Sequence, residues 1–313
     1  MKPLGTLLLC TLPILVGAGR ARAERVDNVL ARMVPDDSVT LIGMRMEQLK
    51  STPLFQKLVA QEKLPQMDEF ARESGFDPRR DVRDLLLASN GKQTVLLARG
   101  SFHVKVPAQA KAVNYHGYVI VSRGGTQPTE GGFCILDSTL AAAGPLPALE
   151  AALDQYKSGN RKNAAALLTR ARAIAEDYQL WGVTAGNSSF MPANGPGASK
   201  GPDFGRIVRS LQNALFEADL RNGLKGTVEG YCASAQDAKS LGDATRGMVG
   251  MARLNTPENQ PELLRVWDGI KVEQSDRKLT LTVDVGQDLV DQILKLVQTD
   301  GARNGANRGM NKN

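Results

Sequence analysis

The 313-residue sequence predicts an α+β fold of antiparallel strands with packed helices, and three observations carry that expectation. Two Asn-Gly dipeptides, Asn90-Gly91 and Asn222-Gly223, each sit between apolar runs, the signature of a tight β-hairpin. Residues 270–274 and 279–285 alternate apolar and polar side chains with the period of a half-buried strand. Residues 146–174 and 235–254 instead repeat their apolar positions at helical spacing.

Taken in order, the mature chain opens on an amphipathic lead-in, Val26 to Leu30, and a strand over Val39 to Met44. A helix follows from Met46 to Glu62, restarted at Pro53 because proline lacks a donor and crowds the preceding turn. Pro65 to Glu73 reads as a second short helix. The first Asn-Gly hairpin joins Val82–Ala88 to Gln93–Arg99, and a short helix is expected over Val104 to Ala112. Strands at Tyr118–Val121 and Phe133–Leu136 come next, with Thr139–Ala143 open to either assignment. Pro145 and Pro147 start a helix that Ser158-Gly159-Asn160 ends, and Ala164 to Ile174 is another. This pair has the helix–turn–helix shape of a tetratricopeptide unit, but no second copy follows, so a helical hairpin is expected.

The second half begins with a strand at Tyr178–Val183 and a Gly/Pro/Asn/Ser stretch over residues 185–205. A helix is expected over Ile207 to Leu215, then a hairpin of Phe216–Leu220 with Thr227–Cys232. Helices at Ala235–Leu254 and Glu262–Trp267 lead to the alternating strands, and a last helix spans Gln287 to Val297. Both halves can be written strand–helix–hairpin–helix–hairpin–helix, which suggests an internal duplication: two tandem halves, each an antiparallel sheet with helices on one face. The expected divisions are a signal over 1–23, halves over 24–175 and 176–300, and a disordered tail over 301–313. In the last hairpin, Thr280, Thr282 and Asp284 alternate with Leu279, Leu281, Val283 and Val285, so one sheet face should meet water.

Residues 1–23 have the n/h/c pattern of a secretory signal. Lys2 supplies the positive n-region, residues 4–16 the apolar segment, and Ala21-Arg22-Ala23 the small residues for cleavage after Ala23. Thirteen residues rise about 20 Å as a helix, short of the ~30 Å hydrocarbon core, so export is preferred to a membrane anchor. Cys10 lies inside the apolar segment and reads as part of it. Cleavage removes Lys2, Arg20 and Arg22 and lowers the formal net charge from +6 to +3. Much of the remainder is Arg303, Arg308 and Lys312 in the tail. No clustered basic face is left for phosphate binding, so nucleic acid is not an expected partner. The expected compartment is periplasmic or extracellular, with no stable membrane span in the mature form.

Catalytic material is scarce. Two histidines and three cysteines exclude a multi-ligand zinc centre or a disulfide scaffold. Cys134 and Cys232 survive cleavage, each in an apolar strand-like run, and two separate buried thiols are preferred to one bridge. His103 and His116 are the only imidazoles, and no Gly-x-Ser-x-Gly elbow accompanies them. The glycines of residues 195–201 lack the Gly-Lys-Ser/Thr and preceding strand of a phosphate loop, and Asp203-Phe204-Gly205 stands without the rest of a kinase signature. Carboxylate pairs at Asp36-Asp37, Glu176-Asp177 and Asp284 with Asp288 are available for acid–base or cation chemistry, but turn and helix-start roles suffice for them. No catalytic residue, metal ligand or cofactor is therefore assigned. Phe190 and Met191, apolar residues amid small polar ones, are the candidate partner-contact loop.

The signal, the Val34-Pro35-Asp36-Asp37-Ser38-Val39 strand entry, Gly75-Phe76-Asp77-Pro78-Arg79-Arg80-Asp81 and the 263–270 segment Leu-Leu-Arg-Val-Trp-Asp-Gly-Ile resemble uncharacterised exported bacterial proteins. That resemblance implies export and adds no activity. The function expected is an exported, non-enzymatic binding or envelope-associated scaffolding protein whose partner is a protein or another envelope component. The alternative is an extracytoplasmic hydrolase using carboxylates that the fold brings together. N-terminal sequencing of protein recovered from cells is expected to begin at Glu24; a chain beginning at Met1 contradicts the signal.

Overall fold

The Asn-Gly turns behave as their chemistry dictates. Asn90 Oδ1 accepts from the amides of Lys92 (3.0 Å) and Gln93 (2.9 Å), and Gly91 takes φ +85°. Gly223 at the second turn has φ +100°, and a Cβ there would lie 2.2 Å from the Val285 carbonyl oxygen. Only glycine suits that position.

The computed structural model describes residues 26–61, 68, 71–72, 77–103, 111–122, 131–160, 164–174, 178–186 and 211–295. The first half runs α1 (Asn28–Ala31), β1 (Thr40–Arg45), α2 (Met46–Leu49), α3 (Pro53–Gln61), α4 (Pro78–Asp81), β2 (Val82–Ser89) and β3 (Thr94–Gly100). It continues with β4 (Lys111–Tyr115), β5 (Tyr118–Ser122), β6 (Gly131–Asp137), β7 (Leu140–Pro145), α5 (Leu146–Ser158) and α6 (Ala164–Ala173). The second half contains β8 (Leu180–Thr184), β9 (Leu211–Asp219), β10 (Gly223–Cys232), α7 (Ala235–Leu254), α8 (Pro261–Asp268), β11 (Ile270–Ser275) and β12 (Lys278–Gly286). A helix over residues 287–295, α9, follows.

The α+β expectation holds, in a different arrangement from two side-by-side sheets. All twelve strands join one antiparallel sheet in the order β11-β12-β10-β9-β8-β1-β2-β3-β7-β6-β5-β4. The seam is β1 against β8, with Thr40 opposite Thr184 and Gly43 opposite Trp181. Trp181 is why position 43 is glycine: a Cβ there would sit 2.0 Å from the indole ring.

Helices cover both faces, not one. On the first face, Leu41, Leu86, Leu97 and Trp181 pack under α1, α5 and α6 through Leu30, Leu149, Leu153 and Leu168. On the second, Met44, Leu85 and Ala98 meet Met46, Leu49 and Phe55 of α2 and α3. The second half buries the same second face: Leu279 and Val272 under Ala238 and Leu241 of α7, and Val285 under Leu289 and Val290 of α9. Its first face carries Thr280, Thr282 and Asp284, of which Asp284 is exposed, as the alternation predicts.

Contacts on both faces tie the halves beyond the seam. Arg170 of α6 donates to the Thr184 carbonyl (2.7 Å) and Asn213 Oδ1 (2.8 Å), reaching β8 and β9. On the other face Leu54 of α3 joins the α9 cluster, and Lys57 pairs with Asp291 at 2.5 Å.

Two expected helices are strands where described. Residues 211–219 form β9, because alternating Ala214, Phe216 and Ala218 fill a place between β8 and β10 that the Leu211/Leu215 helical spacing does not reveal. Residues 111–115 form β4, an added hairpin partner for β5, while 104–110 lie outside the described residues. Cys134 and Cys232 sit buried in different clusters and form no disulfide. Burial alone pushes the Cys134 thiol up to about 11.

Gly43→Ala should therefore cost about 1–3 kcal/mol by overpacking, read as a lower denaturation midpoint at unchanged m-value; a neutral effect contradicts the Trp181 placement. At pH 8, in protein beginning at Glu24, Cys134 should resist a thiol reagent until the protein is denatured, and rapid native labelling at that position contradicts its burial.

Candidate binding surface and cavity

Strand registers convert the period-2 patterns into a surface. On the second face, one residue from each strand lies in a single row perpendicular to the strands. From β4 inward the row is Ala112, Val121, Phe133, Ala143, Leu96 and Leu87. It continues across the seam as Ile42, Gly182, Phe216, Val228, Leu281 and Val272. None of these side chains is charged or carries a hydrogen-bonding group. The neighbouring row, from Ile135 through Ala98, Leu85, Met44 and Leu180 to Val283, is also apolar and is the one that α2, α3 and α9 cover.

The first row is covered unevenly: Val121 is buried and α7 packs on Val272, while the stretch from Leu96 to Val228 is more open at its two ends. Leu96 is 36% exposed and Val228 40% exposed; between them Leu87, Ile42 and Phe216 are half-buried and Gly182 is buried, and Leu281 beyond Val228 is half-buried. Val119 on β5 is exposed as well. Large apolar side chains gathered on one rigid face differ from the scattered single exposures of an ordinary surface.

A cavity of about 440 Å³ opens at the seam on the opposite side, lined among others by Asp27, Leu30, Arg45, Glu47, Asp84 and Trp181. Three of the lining residues are carboxylates, Asp27, Glu47 and Asp84, and two are committed. Asp27 Oδ1 caps α1 by accepting from Val29 (2.8 Å) and Leu30 (3.0 Å), while Oδ2 faces Arg99 (3.4 Å) and Arg83 (3.6 Å). Asp84 accepts from Arg83 Nε at 2.8 Å.

The polar first face of the second half gathers a further group. Tyr231 donates to Glu229 at 3.2 Å, and Lys278 pairs with Glu229 at 2.5 Å. Burial raises the nearby Glu217 carboxyl above its ordinary value, Tyr178 opposes that by donating to it, and Glu229 adds repulsion.

The residues singled out in the sequence scatter. Ala23, Phe190 and Met191 lie outside the described residues, as do Glu176-Asp177 and residues 195–205. His103 is exposed beside Ser101 Oγ, and His116 occupies the β4–β5 turn at φ 51° with Nε2 3.2 Å from Asp154. They belong to separate places and share no nucleophile. Asp37 accepts from Asn90 (2.7 Å), and Asp284 faces Lys225 at 3.8 Å. The Asp77–Asp81 motif is a self-capped turn: Asp77 accepts from the Arg79 amide, Asp81 accepts from the Asp77 amide, and Lys50 Nζ donates to the Arg80 and Val82 carbonyls. Among the described residues no group of three or more His, Cys, Asp or Glu is placed to hold a metal ion, and no helix is long and apolar enough to cross a membrane. Sequence reading missed the Leu96–Val228 row, because each strand shows its apolar side but not which positions of other strands it meets.

No family model and no curated protein matches the chain. Among solved structures, "Structure of crystal form I of TP0453" is similar at 8% identity and a TM-score of 0.46, covering 85% of this chain and 96% of its own. A likeness at that level carries no argument about function.

Glu217 gives a pH prediction. Its folded pKa is raised, so the stability it contributes is fully present below its unfolded pKa and is lost as pH rises through the folded value. Glu217→Gln keeps an acceptor for Tyr178 and should raise Tm at pH 7, with the gain vanishing below the ordinary glutamate range. A lower Tm at pH 7 would reverse the assigned sign.

Proposed function

We propose that this chain is an exported, non-enzymatic binding protein that engages an apolar partner through the exposed Leu96 and Val228 of its transverse row. The observation that carries the reading is the exposure of Leu96 and Val228 in an uncharged row that crosses the β1–β8 seam. Such a floor favours a partner with an apolar contact surface, a protein or envelope component, and offers nothing to nucleic acid phosphates. The n/h/c pattern of residues 1–23 supports export, with Glu24 the first mature residue.

Strand order supports two related halves, divided near residue 175. Outward from the seam, β1-β2-β3-β7-β6 faces β8-β9-β10-β12-β11, and the β4–β5 hairpin is an addition to the first copy. On this reading the binding row belongs to both halves and exists only once they share one sheet.

An extracytoplasmic hydrolase is the second reading, favoured by the three carboxylates at the cavity. It ranks lower because Asp27 and Asp84 are held by arginines and a helix cap, leaving no evident acid–base pair.

The test uses the full cleaved chain and 8-anilinonaphthalene-1-sulfonate as a probe of apolar surface. The parent should bind the dye under native conditions, and the Leu96→Lys/Val228→Lys variant should lose most of that binding while each substitution shifts stability by only about 0.5 kcal/mol. Native dye binding that the double substitution leaves intact overturns the proposal.

A further inference from the structure

We draw no further inference here: the strongest candidate, the apolar row crossing the sheet between Leu96 and Leu281, belongs to the surface already described, and nothing in the structure shows what covers it.

Discussion

The pairing of β1 with β8 is the constraint on which the rest depends. Without it the chain has two sheets, each with an exposed edge strand whose backbone groups lack partners. With it, twelve strands share one hydrogen-bonded network, and β1 and β8 become interior strands with a partner on each side. The pairing needs a close approach of side chains as well as backbone. Trp181 lies over Gly43 and fills the space that any Cβ there would take. The indole then belongs to the same buried cluster as Leu41, Leu86 and Val183, so the junction is packed like a core.

Helix placement follows from that continuity. A sheet this wide presents two broad apolar areas, and each must be covered or used. The first half spends α1, α5 and α6 on one face and α2 and α3 on the other; the second half places α7 and α9 on the latter. Arg170 and the Lys57–Asp291 pair reach from helices of one half to elements of the other. What these helices leave thinly covered, among the described residues, is the part of the row that carries Leu96 and Val228.

Much of the local structure was legible beforehand because local chemistry decides it. Helices over 146–158, 164–173 and 235–254, the Asn90-Gly91 turn and the alternating last hairpin follow from periodicity, caps and turn residues. Residues 216–219 read as strand, but 211–215 were not legible: Leu211 and Leu215 fit a helix face equally well, and only neighbours on both sides impose an extended chain. The fusion of the halves escaped for a similar reason, since the glycine opposite Trp181 lies 138 positions away in sequence and looks like any other glycine until the register is known. The apolar row is legible only as a sum of registers, and the acids lining the cavity come from three separate segments.

The most direct test of the fused sheet is native-state hydrogen exchange on the β1 and β8 amides. One shared sheet predicts that Thr40–Met44 and Leu180–Thr184 exchange only through global unfolding, together and with the highest protection in the chain. Early exchange at those amides, or two halves that lose protection in separate steps, would contradict it.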